Sequence, residues 1–480
     1  MSGLQSTELE IRKDRKEEPM MKKVSAEDMV KTSVKEDQTS FGFDNSLPNL
    51  PIKTILAMTF GCIGVNMAFT LQGSQMSRIT QTIGVNPNSL GWFFLLPPLL
   101  GMFVQPLLGK YSDSTWTRWG RRIPYLLVGA PITVIVMIML PFTGSFGFGY
   151  GSMTAMVYAA IAIALMDLFS NVCLAPYKML AGDMVNEKQK NLAWSWQQVF
   201  GYAGGILAAL LPYILTKVGI ANTASKGQVP ATVIWAYLIG AVMLLVTSLV
   251  TIFNVHEYDP KTYAKYHKIN ESKQKVIPSL WKLLKTAPRS FWELAIVQLF
   301  SWIGIMYTWT YATGAMANNI WNTTNPASSG FQAAGNWYGV MTAFYSVAAL
   351  LWGLFYAKTK ATQRKFWYSF GLFADAISII IVATTHNQWV ALIAFALYGI
   401  GNFTINTLPY TMLTTSLDGR NNGSYLGLFN IAVCLPQIIG SLASFVIFPL
   451  VGNSQSMMMI IGFVAMVIGG FSVAIVHEGK

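Results

Sequence analysis

The feature that most constrains this chain is a series of twelve long apolar blocks, nearly free of charge and separated by polar loops. A helix needs about 20 apolar residues in a row to cross the hydrocarbon of a bilayer. The blocks predict spanning helices at 53–77, 88–109, 122–141, 151–176, 191–216, 231–254, 289–314, 336–357, 366–385, 388–413, 421–448 and 456–476. Charged residues make up only 11% of the chain, against about 25% in an ordinary soluble domain. The expected fold class is an all-α membrane protein embedded in a lipid bilayer.

Residues 1–50 read differently. They mix bases (Arg12, Lys13, Arg15, Lys16) with acids (Asp14, Glu17, Glu18) and lack the apolar core of a cleavable signal peptide. A solvated, disordered cytoplasmic tail is expected. The formal net charge of +12 does not point to nucleic acid, because the bases sit in short loops where insertion topology explains them. One set of loops holds Lys110, Arg118, Arg121, Arg122, Lys178, Lys188, Lys190, Lys358, Lys360, Arg364, Lys365 and Arg420, and the central loop adds eight more bases. The opposite set holds Arg78, Lys217 and Lys226. The basic set, with both termini, is expected to face the cytoplasm. Cys62, Cys173 and Cys434 lie inside apolar blocks and read as packing residues, not as a disulfide framework or metal site.

The central loop parts six blocks from six. Pro176-Tyr177-Lys178-Met179-Leu180 recurs as Pro409-Tyr410-Thr411-Met412-Leu413, where the fourth and tenth helices are expected to close. Motifs at equivalent positions in two halves are what parallel repeats produce. The division expected is an N-terminal six-helix bundle (51–254), a cytoplasmic linker (255–288) and a C-terminal six-helix bundle (289–480).

Between the second and third blocks the chain runs from Gly109 through Asp113 and Arg118 to Gly120-Arg121-Arg122. Glycine permits close approach, and the acid and arginines are expected to bridge neighbouring helix ends as a gating latch between two rocking bundles. This glycine, acid and Gly-Arg-Arg run resembles the signature loop of the major facilitator superfamily. Its stretched form, Arg118-Trp119-Gly120-Arg121-Arg122-Ile123-Pro124, resembles that of the sucrose–proton symporters of plants and their relatives. The resemblance implies twelve helices in two six-helix bundles.

Asp167 lies nine residues before Pro176, about 13 Å along a helix and deep in the hydrocarbon. A carboxylate there costs several kcal/mol unless paired, hydrated or protonated, and marks a functional site by default. Asp167, Asn171 and Lys178 share one helical face, which is expected to look into a cavity and to form the proton-coupling site. The tenth block has Ile400 at the equivalent position, which points to a single such site. Asp167, Asn171, Pro176, Lys178 and Asp183 are similar to an acid–Asn–Pro–basic–Asp pattern in the fourth helix of sucrose symporters. That resemblance implies that Asp167 carries the proton, with Lys178 where the family usually has arginine. Glu293 reads equally as structural or functional, and Asp375 is expected to pair with a neighbouring helix.

Sugars are recognised by amide hydrogen bonds and aromatic faces. The blocks offer Gln72, Gln75, Asn171, Gln197, Gln198, Gln298, Trp302, Asn402, Asn406 and Asn430. Each reads about equally as glue between helices. The set, without clustered buried arginines, favours a neutral polyol over an anion. The expectation is a monomeric plasma-membrane transporter carrying a small-molecule sugar, a disaccharide of sucrose or maltose type, with a proton as coupling ion and no other cofactor. A sodium- or proton-coupled symporter of the glycoside–pentoside–hexuronide type is the nearest alternative, and a membrane sugar sensor a more distant one. Zinc-ligand spacing, a nucleophile elbow and a phosphate-cradling loop, the marks of an enzyme, are not found in the blocks.

Overall fold

Backbone polar groups find no water in hydrocarbon, so a crossing segment made of these apolar blocks must bond to itself as a helix. The computed structural model describes residues 47–114, 116–266, 280–356, 359–417 and 422–477. Among them, twelve helices are long and apolar enough to span a membrane: Ile52–Thr82, Pro87–Val104, Ile123–Gly144, Met153–Met184, Lys188–Lys217, Ala231–Asn254, Arg289–Trp321, Ser329–Tyr356, Arg364–Thr384, Gln388–Thr415, Tyr425–Leu450 and Gln455–Ile475. Each expected span has its counterpart. The expected tail lies outside the described residues, apart from its last few. So do the side chains of Gly109 and Asp113 from the latch.

Proline is where the structure corrects the sequence reading. Pro176 and Pro409 sit inside helices Met153–Met184 and Gln388–Thr415 and close neither. In a packed membrane bundle, neighbouring groups and small local adjustments make good the hydrogen bond a proline removes. The fourth span therefore continues about two turns past Pro176, and Asp167 falls near its middle. Tyr177, from the repeated motif, is fully buried. Its ring packs where a side chain on Gly61 would otherwise stand, at the joint between Ile52–Phe60 and Cys62–Thr82.

Membrane helices gain little from burying apolar surface, because lipid is as apolar as leucine; close packing through small residues holds them instead. A Cβ on Gly204 in the fifth span would overlap the carbonyl oxygen of Ile63 in the first. A Cβ on Gly64 would overlap the sixth span at Leu244. The first span is thereby wedged against the fifth and sixth. On the outer faces Ile161, Val242, Leu351, Ile393, Val446 and Phe471 are exposed, the broad apolar surface that a lipid contact requires.

Gly204→Leu is expected to destabilise the fold by about 1–3 kcal/mol, the usual cost of overpacking. Gly182, on the fourth span, has nothing within 4 Å of a would-be Cβ. Thermal unfolding in detergent should therefore show a clear fall in Tm for Gly204→Leu and none for Gly182→Ala.

Candidate functional site

A cavity of about 540 Å³ lies between the first six spans and the last six, within the usual size of small-molecule sites. Asp167 and Asn171 stand one helical turn apart on its fourth-span wall. Asn171 Nδ2 donates to Asp167 Oδ2 at 3.1 Å and to the Asp167 carbonyl at 2.9 Å. The eleventh span contributes Asn430, Cys434 and Gln437. Trp302 and Trp309 of the seventh span meet edge to face, ring centroids 6.0 Å apart, and both line the cavity. Asp167 is the single charged side chain among the lining residues.

Five of the expected sugar ligands reach this cavity: Gln72, Asn171, Trp302, Asn406 and Asn430. The structure does not bring the other five there. Gln75 is buried and accepts from Arg78 Nη1 at 3.1 Å. Gln298 is buried and donates to the Ile405 carbonyl at 3.3 Å. Asn402 presents its carbonyl to Asn406 Nδ2 at 2.8 Å. Gln197 is buried beside Cys62, whereas Gln198 is exposed. Successive residues on a helix point about 100° apart, so the last two never shared a face. Lys178 lies about 16 Å along the helix from Asp167. It is exposed and does not line the cavity.

Sequence reasoning missed the eighth-span wall, built by Tyr338, Thr342 and Tyr345. Their i, i+4, i+7 spacing was the signal for a common face. It also misplaced Arg78, counted among the loop bases. Arg78 is on the first span with 0% exposure. Its guanidinium is caged by amide oxygens: Nε donates to Gln332 Oε1 (2.7 Å), Nη1 to Asn336 Oδ1 (2.7 Å) and Nη2 to Asn222 Oδ1 (2.8 Å). Gln332 and Asn336 belong to the eighth span, so Arg78 joins the two sets of six. Ser77 Oγ to the Thr310 carbonyl (2.7 Å), Asn336 Nδ2 to Thr216 Oγ1 (2.7 Å) and Gln455 Nε2 to Gln81 Oε1 (3.0 Å) add further ties. All of these stand at the end away from the basic loops, and they close the cavity there.

At the opposite end one of the latch arginines bridges helix ends, within the first six spans. Arg122 Nε pairs with Asp183 Oδ2 at 2.8 Å, joining the third span to the end of the fourth. The Arg121 guanidinium stacks over Tyr263 and Trp116, at 5.0 and 5.7 Å, while Arg118 is exposed beside Trp119. An unforeseen acid organises the turn. Glu257 accepts from the backbone N–H groups of Arg121, Arg122 and Ile123 at 3.0, 2.8 and 2.7 Å. It thereby caps the third span, satisfying N–H groups that have no partner within the helix. Gly120 adopts φ +107°, and a side chain there would meet the Glu257 carboxylate. Burial pushes the Glu257 carboxyl above its ordinary range, and the three N–H groups pull it back. These described partners belong to the first six spans and the start of the linker.

Two other acids are settled by their surroundings. Glu293 accepts from Arg289 Nε at 2.6 Å and from the His477 backbone N–H at 2.7 Å, so it fastens the end of the chain to the seventh span. Asp375 does not pair as expected. It is fully buried against Gly401 of the tenth span, and neither carboxyl oxygen has a partner among the described residues.

A family model described as Major Facilitator Superfamily matches residues 56–441. The chain belongs to the major facilitator superfamily. This superfamily member is 22% identical over 463 residues to sucrose transport protein SUC4 of Arabidopsis thaliana, covering 87% of this chain and 88% of that protein. It is 23% identical over 447 residues to sucrose transport protein SUT5 of Oryza sativa subsp. indica, covering 82% of each. Among solved structures, a D-xylose–proton symporter superposes with a TM-score of 0.64 at 15% identity, covering 88% of this chain and 97% of that one. The nucleoside transporter NupG gives 0.63 at 13%, covering 89% and 100%. The fold is that of a multi-pass superfamily transporter.

Two outcomes follow for the two ends of the cavity. Glu257→Ala orphans three N–H groups and should cost about 1–3 kcal/mol, read as a lower Tm in detergent. Arg78→Gln should loosen the closed end. Cys434, which lines the cavity, should then react several-fold faster with a membrane-impermeant thiol reagent supplied from the Arg78 side.

Proposed function

We propose that this transporter carries a neutral sugar of disaccharide type together with a proton, by alternating access. One observation carries the reading: a lone carboxyl, Asp167, in a cavity otherwise walled by uncharged amides, hydroxyls and aromatic rings. A sugar offers hydroxyls to the amides and an apolar C–H face to Trp309. The similarity to sucrose transport proteins, and the fold shared with a D-xylose–proton symporter, support the same substrate class and coupling ion.

In the cycle we envisage, the basic loops and both termini face the cytoplasm and the protein sits in the plasma membrane. With the Arg78 end open, Asp167 takes a proton from outside, and sugar then binds between the halves. An ionised carboxyl sealed in an apolar site is costly, and neutralising it removes that cost. The halves rock, the Arg78 cage closes behind the sugar, and the latch end parts. The present arrangement, closed at Arg78, is then the state that releases cargo to the cytoplasm. The membrane potential contributes about 2.3 kcal/mol per charge per 100 mV to inward movement.

Asp167→Asn keeps the hydrogen-bonding shape of the site without a titratable proton. In proteoliposomes it is expected to retain sugar counterflow and to lose uphill accumulation driven by a pH gradient. Full proton-driven accumulation in that variant overturns the assignment. Accumulation by the wild type that follows a sodium gradient, with no pH gradient, moves the coupling to sodium.

A further inference from the structure

The second span, Pro87–Val104, carries two adjacent prolines, Pro97 and Pro98, inside its helix. In an α-helix each carbonyl accepts from the N–H four residues on, or three residues on where the turn tightens. For Phe94 those positions are Pro98 and Pro97, and proline has no N–H. One proline alone would leave the other donor as a fallback, and the pair removes both. Among the described residues no side chain donates to that carbonyl either. An unpaired backbone carbonyl is costly within a membrane and calls for a partner.

The cavity is where that partner can come from. Phe94, Pro97, Pro98 and Gly101 all line it. Their i, i+3, i+4, i+7 spacing makes one helical face, so the second span turns this face to the cavity, and the Phe94 carbonyl lies on it beside the Pro98 ring. A proline ring crowds the carbonyl four residues before it, which tilts that carbonyl outward from the helix. Gly101, a turn further on, has nothing within 4 Å of a would-be Cβ, so open space stands against this face. The second span packs against the fourth and the eleventh. Their amides are engaged elsewhere: Asn171 donates to Asp167, and Gln437 to the Val433 carbonyl.

Building on the sugar reading above, we propose that the Phe94 backbone carbonyl is a sugar-binding group: one hydroxyl of the cargo donates to it, in place of the N–H that Pro98 withholds. Pro98 is then a positioning residue that acts through Phe94. A carbonyl on a helix has no rotamer to change, so the subsite keeps its direction whether or not cargo is bound. It demands a donor. A hydroxyl supplies one, whereas a ring oxygen, a glycosidic oxygen or a fluorine substituent does not. Cargo lacking that hydroxyl leaves the acceptor unpaired. Sites built to bond a substrate hydroxyl reject such analogues far more strongly than apolar pockets reject a size mismatch.

The test uses the full-length protein in nanodiscs, with competition binding by sucrose, maltose and their complete sets of monodeoxy and monodeoxyfluoro analogues. In the wild type at least one hydroxyl position should show a loss of about tenfold for both analogues. Pro98→Ala returns an N–H to the Phe94 carbonyl and closes the bond within the helix. Parent affinity should then fall, and at one position the analogues should bind within about twofold of the parent. Pro98→Gly supplies the same N–H and should behave alike. Pro97→Ala supplies an N–H whose α-helical acceptor is the Phe93 carbonyl, so the penalty should persist. Size-exclusion profiles and Tm accompany each variant. With parent sugar bound, no penalised position in the wild type overturns the subsite and leaves the sugar reading standing; this arm needs no variant to fold. Survival of every penalty in both Pro98 variants overturns it, and so does equal relief in Pro97→Ala, which would mark a change of helix shape. Failure of both parent sugars to bind the wild type overturns the sugar reading and the subsite with it.

Discussion

A guanidinium with no counter-ion among the described residues ties the two halves of this molecule together at one end. Arg78 is wholly buried, and its described hydrogen bonds run to neutral amide oxygens from both sets of six spans. A buried charge must be bonded on every side, and the planar fork of arginine suits several acceptors at once. Carboxylate partners would bind it more strongly, and separating such a buried pair costs several kcal/mol. Amides satisfy the charge and still permit release. When the halves part at this end, Gln75 and Asn222 stay with Arg78 because they share its half. Water then has to replace only Gln332 and Asn336.

With that end shut, the cavity is a largely apolar chamber set with a few polar groups. Its chemistry is divided by wall. The fourth and eleventh spans supply a carboxyl with amide and thiol neighbours. The seventh and eighth supply aromatic rings and a hydroxyl, and the first supplies Gln72. The two halves are related by the repeated Pro-Tyr motif, yet their fourth and tenth spans have diverged where chemistry matters. Asp167 faces the cavity in one, whereas the tenth span has Ile400 at the equivalent position and contributes Asn406 instead. A symmetric frame thus carries an asymmetric site.

Much of the frame was readable from apolar block length, because hydrocarbon enforces both length and composition. Helix ends were readable where loops hold charge, as at Ala231 and Asn254, and misjudged at Pro176, where packing outweighs the usual helix-breaking effect of proline. The site was readable at Asp167 and Asn171, since a carboxyl in hydrocarbon has few explanations. It was half readable among the amides. Gln72 and Gln298 look alike in sequence, and only the packing of neighbouring helices decides that one meets the cavity and the other a backbone carbonyl. Arg78 and Glu257 were missed for opposite reasons. A lone arginine near a helix end resembles a topology signal, and an acid in a loop resembles solvated charge, until partners distant in the chain close around each.

The Glu257 cap changes what the linker is. With Glu257 bound to the third span and Tyr263 bonded to Asp183, the first part of 255–288 belongs mechanically to the N-terminal half. Leu283 is buried, and Thr286 lies 3.0 Å from the Tyr425 hydroxyl on the eleventh span, so the last part belongs to the C-terminal half. The Glu257 cap therefore rides with the N-terminal half, and a rocking motion of one half against the other need not break it.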